Sequence, residues 1–198
     1  MRKVKEMHNL RNTLRKEEVG SIVRRFFINT LFDSTFMLLG IVVGAAFAAD
    51  ASLGVVMVTM VTSSLALGIS TGVSVYEAES FEQKRKISEL EKALFRNLSE
   101  TTIEKRSKSI ILLEVLINFS TPLVSCAVTI LPFVFSALKI LDIGVASWGS
   151  IVLALSILFN AGVYLGKLGK KNPWIKGIRM VGFGLIAFII GFLLDALV

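Results

Sequence analysis

Five apolar runs, near residues 26–48, 53–76, 109–137, 147–166 and 176–197, constrain this chain more than any other feature. A helix needs about 20 apolar residues to cross a hydrocarbon core. Lipid offers backbone amides no water to bond, so runs of this length are stable there only as helices. The predicted fold is therefore all-α: a polytopic integral membrane protein with five transmembrane helices. Composition agrees, since 54% of the residues are hydrophobic and the mean hydropathy is +0.71.

The runs divide the chain into four parts. Residues 1–25, MRKVKEMHNLRNTLRKEEVGSIVRR, read as a basic amphipathic helix on the membrane surface. This polar stretch precedes an apolar run of full spanning length, which is not the pattern of a cleavable signal peptide. Residues 26–78 hold the first two spans, joined by a tight turn at Ala49–Ser52. Residues 79–108 are charged but keep helical periodicity at Phe81, Ile87, Leu90 and Leu94, broken near Asn97–Ser99. They read as a short cytosolic helical hairpin. Residues 109–198 hold the last three spans, and Pro122 and Pro132 predict a bend in the third.

Orientation follows from the positive charges. With the N-terminus in the cytosol, 21 of the 22 lysines and arginines lie on that side and only Lys139 lies outside. Such asymmetry is the positive-inside signature, and it places the C-terminus outside. The net charge of +7 is then a topology signal, with attraction to anionic lipid as a side effect. Nucleic acid is not the expected partner, because the basic residues are split among three loops without interleaved aromatics. The single cysteine, Cys126, excludes an intrachain disulfide, and the single histidine, His8, excludes a multi-histidine metal site. Any metal site must use oxygen ligands or methionine sulfur.

Polar residues inside the spans are the functional candidates. Asp33 lies two turns into the first helix, with Ser34 and Thr35 beside it. It either pairs with Arg24 or Arg25 at the interface or serves a site. On the second helix Thr59, Ser63, Ser70, Ser74 and Glu77 recur at intervals of 4, 7, 4 and 3, which defines one face. On the third, Glu114, Asn118, Thr121 and Ser125 recur at 4, 3 and 4. Hydroxyls in membrane helices also bond back to their own backbone or join helices. Three polar faces nevertheless predict a hydrophilic path through the bundle. Gly40/Gly44, Gly68/Gly72 and Gly162/Gly166 are GxxxG pairs, which serve close packing within the chain or a dimer contact. Met37 follows Asp33 by one turn, and Met57 and Met60 lie in the second helix. A carboxylate with a thioether suits Fe2+ better than Mg2+ or Ca2+, although methionine also fills cores. The charged stretch carries Glu77, Glu79, Glu82, Glu89, Glu91, Glu100 and Glu104 among a similar number of cations. It reads either as a solvated face with pairs such as Glu82–Lys86 and Glu100–Lys105, or as a collecting site for a divalent cation.

The chain resembles the vacuolar iron transporter family across most of residues 24–197. FDSTFMLLGIVVGAAF matches that family's first helix, with Asp33 and Gly44 at the corresponding spacing. GISTGVSVYEAESFEQKRK, with Ser70, Gly72 and Tyr76, is similar to the end of its second helix and the acidic helix that follows. NAGVYLGKLGKKNPWIKGIRMVGFGLIAFIIGFLLDAL is similar to its fourth helix, basic loop and fifth helix. Three positions depart from the pattern. Ser34 follows Asp33 in place of glycine, Thr71 stands where iron-transporting members carry methionine, and Ser63 lies near the place of a second-helix glutamate. The charged insert is also shorter than the metal-collecting domain of that family.

The resemblance implies a divalent metal ion transporter. Fe2+ or Mn2+ would be exported from the cytosol in exchange for protons, by a homodimer in the cell membrane. The transported ion is the cargo, and no permanently bound cofactor is expected. The expected site residues are Asp33, Met37, Ser63, Glu77, Glu79, Glu82, Glu114 and Asn118. Asp33 would exchange metal for proton, Glu114 and Asn118 would line the path, and Glu77, Glu79 and Glu82 would gather cations at its entrance. The competing expectation is a non-transporting membrane scaffold whose basic cytosolic segments dock a partner or anionic lipid. Enzyme chemistry is not expected, since there is no HExxH motif and no nucleophile with a nearby histidine.

Overall fold

The computed structural model describes residue 20 and residues 24–44, 52–95 and 102–195. Among them every regular element is helical. We number these α1 (Arg24–Gly44), α2 (Leu53–Leu94), α3 (Thr102–Thr129), α4 (Leu131–Ala137), α5 (Ile143–Leu168) and α6 (Pro173–Asp195). All but α4 are long and apolar enough to cross a membrane, which marks this as a membrane protein. The surface helix expected over 1–25 falls outside the described residues, apart from helical Gly20 and the start of α1.

Two boundaries differ from the sequence reading. The second helix does not stop near 76; it runs unbroken to Leu94, where Phe95 takes a left-handed φ of 51°. No glycine or proline lies between Val73 and Leu94, and the polar residues there are mostly good helix formers. Arg85 adds ion pairs to Glu82 (3.7 Å) and Glu89 (3.5 Å), and Lys86 pairs with Glu82 (3.6 Å). Residues 79–94 are thus a continuation of α2, and 102–108 are the opening of α3, in place of a separate helical pair. The third span is also not one bent helix over 109–137. Pro122 is carried inside α3, whereas the chain breaks at Ile130 and restarts with Pro132 in the first turn of α4. A proline there needs no ladder donor, so the break falls where its cost is least.

Contacts gather the residues into two units, one from 1–29 and 70–119, the other from 30–69 and 120–198. In the first, Gly72 of α2 lies against Val115 and Phe119 of α3, and Val75 and Ile111 are buried. In the second, a core joins Leu38, Leu39 and Val42 of α1 with Val56 and Met60 of α2 and Cys126 of α3. Phe133 of α4 and Ala146, Ile151 and Ala154 of α5 complete it. Ser34 Oγ meets Ser125 Oγ at 3.0 Å, and Ser150 Oγ donates to the Thr129 carbonyl at 2.6 Å. These bonds join helices that apolar contact alone holds weakly in lipid.

The α5–α6 pair is the closest packing in the second unit. A Cβ on Gly162 would lie 2.8 Å from Gly177 Cα, and one on Gly166 would lie 2.6 Å from Pro173 Cα. Gly177 and Gly184 answer from α6, against Phe159 and against Leu155 and Leu158. Trp148 tilts onto Phe188 (5.8 Å between centroids) and Phe159 onto Trp174 (5.9 Å). The turn between the two helices is tight. Lys171 N donates to the Gly166 carbonyl at 3.0 Å, Lys170 takes φ 50°, and Asn172 Oδ1 accepts from Trp174 N at 3.1 Å, capping α6.

Candidate functional site

The first unit holds two buried carboxylates. Glu79 reaches inward from α2 and is 7% exposed, and Glu114, from α3, is 1% exposed. The two lie close enough for the Glu79 charge to act on Glu114, and the Lys86 charge acts on it with opposite sign. Glu114 Oε2 is buried and has no hydrogen-bond partner among the described residues. A buried carboxylate oxygen without a donor is costly. An acid placed like this is accommodated by a bound cation or a proton.

Asn118 lies one turn further along α3, fully buried, and donates from Nδ2 to the Glu114 carbonyl at 2.8 Å. The Asn118 carbonyl would normally accept from the N–H four residues on, but that residue is Pro122, which has none. Thr71 Oγ1 of α2 donates to it instead, at 3.3 Å. Thr71 therefore has a structural task. It bonds α2 to the carbonyl whose usual helical donor the proline removes.

The second unit divides the polar patch of α1. Ser34 and Thr35 are fully buried, with hydroxyls donating to the Leu31 carbonyl at 3.0 and 2.7 Å. Asp33 is exposed and makes no ion pair or hydrogen bond among the described residues. Gly40 and Gly44, at helical spacing from Asp33, have nothing among the described residues within 4 Å of where a Cβ would stand. Met37 and Ser63 are half-buried, Glu77 is exposed and Glu82 is half-buried in its ion pairs. Met60 is core filler.

The expected stripe on α3 is buried at all four positions, Glu114, Asn118, Thr121 and Ser125. The expected stripe on α2 is not: Thr59 and Ser63 are half-buried, and Ser70, Ser74 and Glu77 are exposed. The inward face of α2 is the adjacent one, Val56, Met60, Ser64, Gly68, Gly72, Val75 and Glu79. Its signal was present in the sequence as small or apolar residues every third or fourth position, ending on the buried Glu79. Sequence reasoning passed over Ser64 and weighed Thr71 only as a missing methionine.

Among the described residues no three His, Cys, Asp or Glu side chains gather as a metal cage would require. The Glu79–Glu114 pair would complete a cation's shell with neutral oxygens or water. No known family profile matches the chain. It is similar to the uncharacterized protein MJ0645 of Methanocaldococcus jannaschii, with 29% identity over 179 residues, 89% of this chain and 90% of that protein.

Proposed function

We propose that this protein is a membrane carrier that exports a divalent metal ion, Fe2+ or Mn2+, from the cytosol in exchange for protons. The observation that carries the reading is Glu114, a carboxylate buried inside an apolar span with one oxygen unpartnered and a second buried acid in reach. Such a pair favours a cation, and a proton can replace the cation when it leaves. In this reading the N-terminus and the extended end of α2 face the cytosol of a cell membrane. Glu77 and Glu82 gather cations there, and Glu79 hands them inward to Glu114.

Asp33 is the second exchange point. A lone chain would present this acid to lipid beside Gly40 and Gly44, an expensive exposure. A homodimer closing that face covers it and brings two Asp33 carboxylates together, with Met37 available as a soft ligand. Reconstitution in proteoliposomes tests the scheme. Asp33→Ala and Glu114→Gln should each abolish metal-driven proton flux, and wild-type rates in either variant would refute that residue's role. The scaffold reading draws on Thr71 and Ser63 standing where that family carries ligands. Metal binding by calorimetry, lost in the same variants, separates the two.

A further inference from the structure

The turn between α5 and α6 forms a cleft of about 230 Å³ lined by Lys171, Asn172, Ile175, Lys176 and Arg179. We propose that this cleft binds a phosphate-bearing anion, the headgroup of an acidic phospholipid. The reading stands apart from the transport proposal and uses none of its residues.

No aspartate or glutamate occurs between Asp142 and Asp195, so the cations of this segment have no local counter-charge. Lys171, Lys176 and Arg179 form no ion pair among the described residues. Orientation rules account for basic residues on this side of the membrane, but they do not ask them to converge. Here Asn172, Lys176 and Arg179 lie on one face of the first turns of α6, and the tight turn brings Lys171 to the same opening. Two ammonium groups and a planar guanidinium around one cleft suit phosphate oxygens, which accept from all three.

The flanks select a lipid as the source. Ile175 is 59% exposed and Ile178 65%, next to Trp174 at 67%. An exposed indole and branched side chains beside a basic cleft match the boundary between headgroups and acyl chains.

The test is native mass spectrometry of the full chain in detergent, with phosphatidylglycerol, phosphatidylcholine or inorganic phosphate added as the probe. The wild type should retain phosphatidylglycerol in preference to phosphatidylcholine. Each cation contributes roughly fivefold in affinity near a charged surface. Combining Lys171→Gln, Lys176→Gln and Arg179→Gln should therefore weaken retention on the order of a hundredfold. The same charge loss through Lys84→Gln, Lys92→Gln and Lys139→Gln should leave it within about twofold. Retention that survives excess inorganic phosphate supports the lipid source, and inorganic phosphate bound without any phosphatidylglycerol preference overturns it. Equal retention by the two triple variants overturns the site itself. All six side chains lie at the surface or rim, and unchanged helical circular dichroism verifies the fold.

Discussion

The bond from Thr71 to the Asn118 carbonyl yields a prediction with a built-in control. Replacing Thr71 with valine keeps the shape and removes the donor, leaving a carbonyl that Pro122 already denies its usual partner. Hydrogen bonds between membrane helices average about 0.6 kcal/mol and reach about 1.7 kcal/mol. For the 3.3 Å bond to a carbonyl that has lost its helical donor, Thr71→Val falls near 1 kcal/mol, inside that range. Pro122→Ala returns an N–H to the helix, and that N–H can bond the same carbonyl. In that background Thr71→Val should cost less than about 0.3 kcal/mol. The coupling would be about 0.7 kcal/mol, beyond the 0.3–0.5 kcal/mol within which independent sites add. The measurement is reversible unfolding in mixed micelles for the four proteins of the cycle, with Thr71→Ser as a variant that keeps the donor. Equal cost of Thr71→Val in both backgrounds would refute the reasoning.

Two further outcomes follow from packing. Gly162→Ala and Gly166→Ala force a methyl to within 2.8 and 2.6 Å of α6 backbone atoms, so each should destabilise by about 1–3 kcal/mol, while Gly72→Ala, whose nearest neighbour would be 3.6 Å away, should be nearly neutral in the same unfolding assay. Cys126 is 5% exposed in the core, so maleimide labelling should be slow in the folded protein and rapid after SDS denaturation; fast labelling of folded protein would contradict the packing of α3.

The helical spans were legible because their length is a property of composition. The ends of α2 and α3 were harder to read. A hydropathy limit stops where charge begins, but the backbone ladder does not, and α2 continues through Glu82, Arg85 and Glu89 to Leu94. The inward face of α3 was visible from Glu114, Asn118, Thr121 and Ser125. On α2, Ser63 and Ser64 open two neighbouring faces of similar polarity, and lipid and protein interior are alike enough that hydropathy does not choose between them. The three GxxxG pairs look identical in sequence. Gly162 and Gly166 are pressed against backbone, Gly72 is in ordinary contact, and Gly40 and Gly44 meet nothing among the described residues. A small residue permits a close approach, and a partner must still come.

The glycine seam of α5 and α6 also bears on how such a protein can move. Gly162 against Gly177 and Gly166 against Pro173 are main-chain contacts, with no rotamers to reset if one helix slides along the other. A shift of one residue would drive Phe159 or Leu158 into the opposing backbone, so the pair has a single register. Any cycle that exposes a site first to one side of the membrane and then to the other must carry α5 and α6 as one rigid block, and take its rocking or bending in the remaining helices.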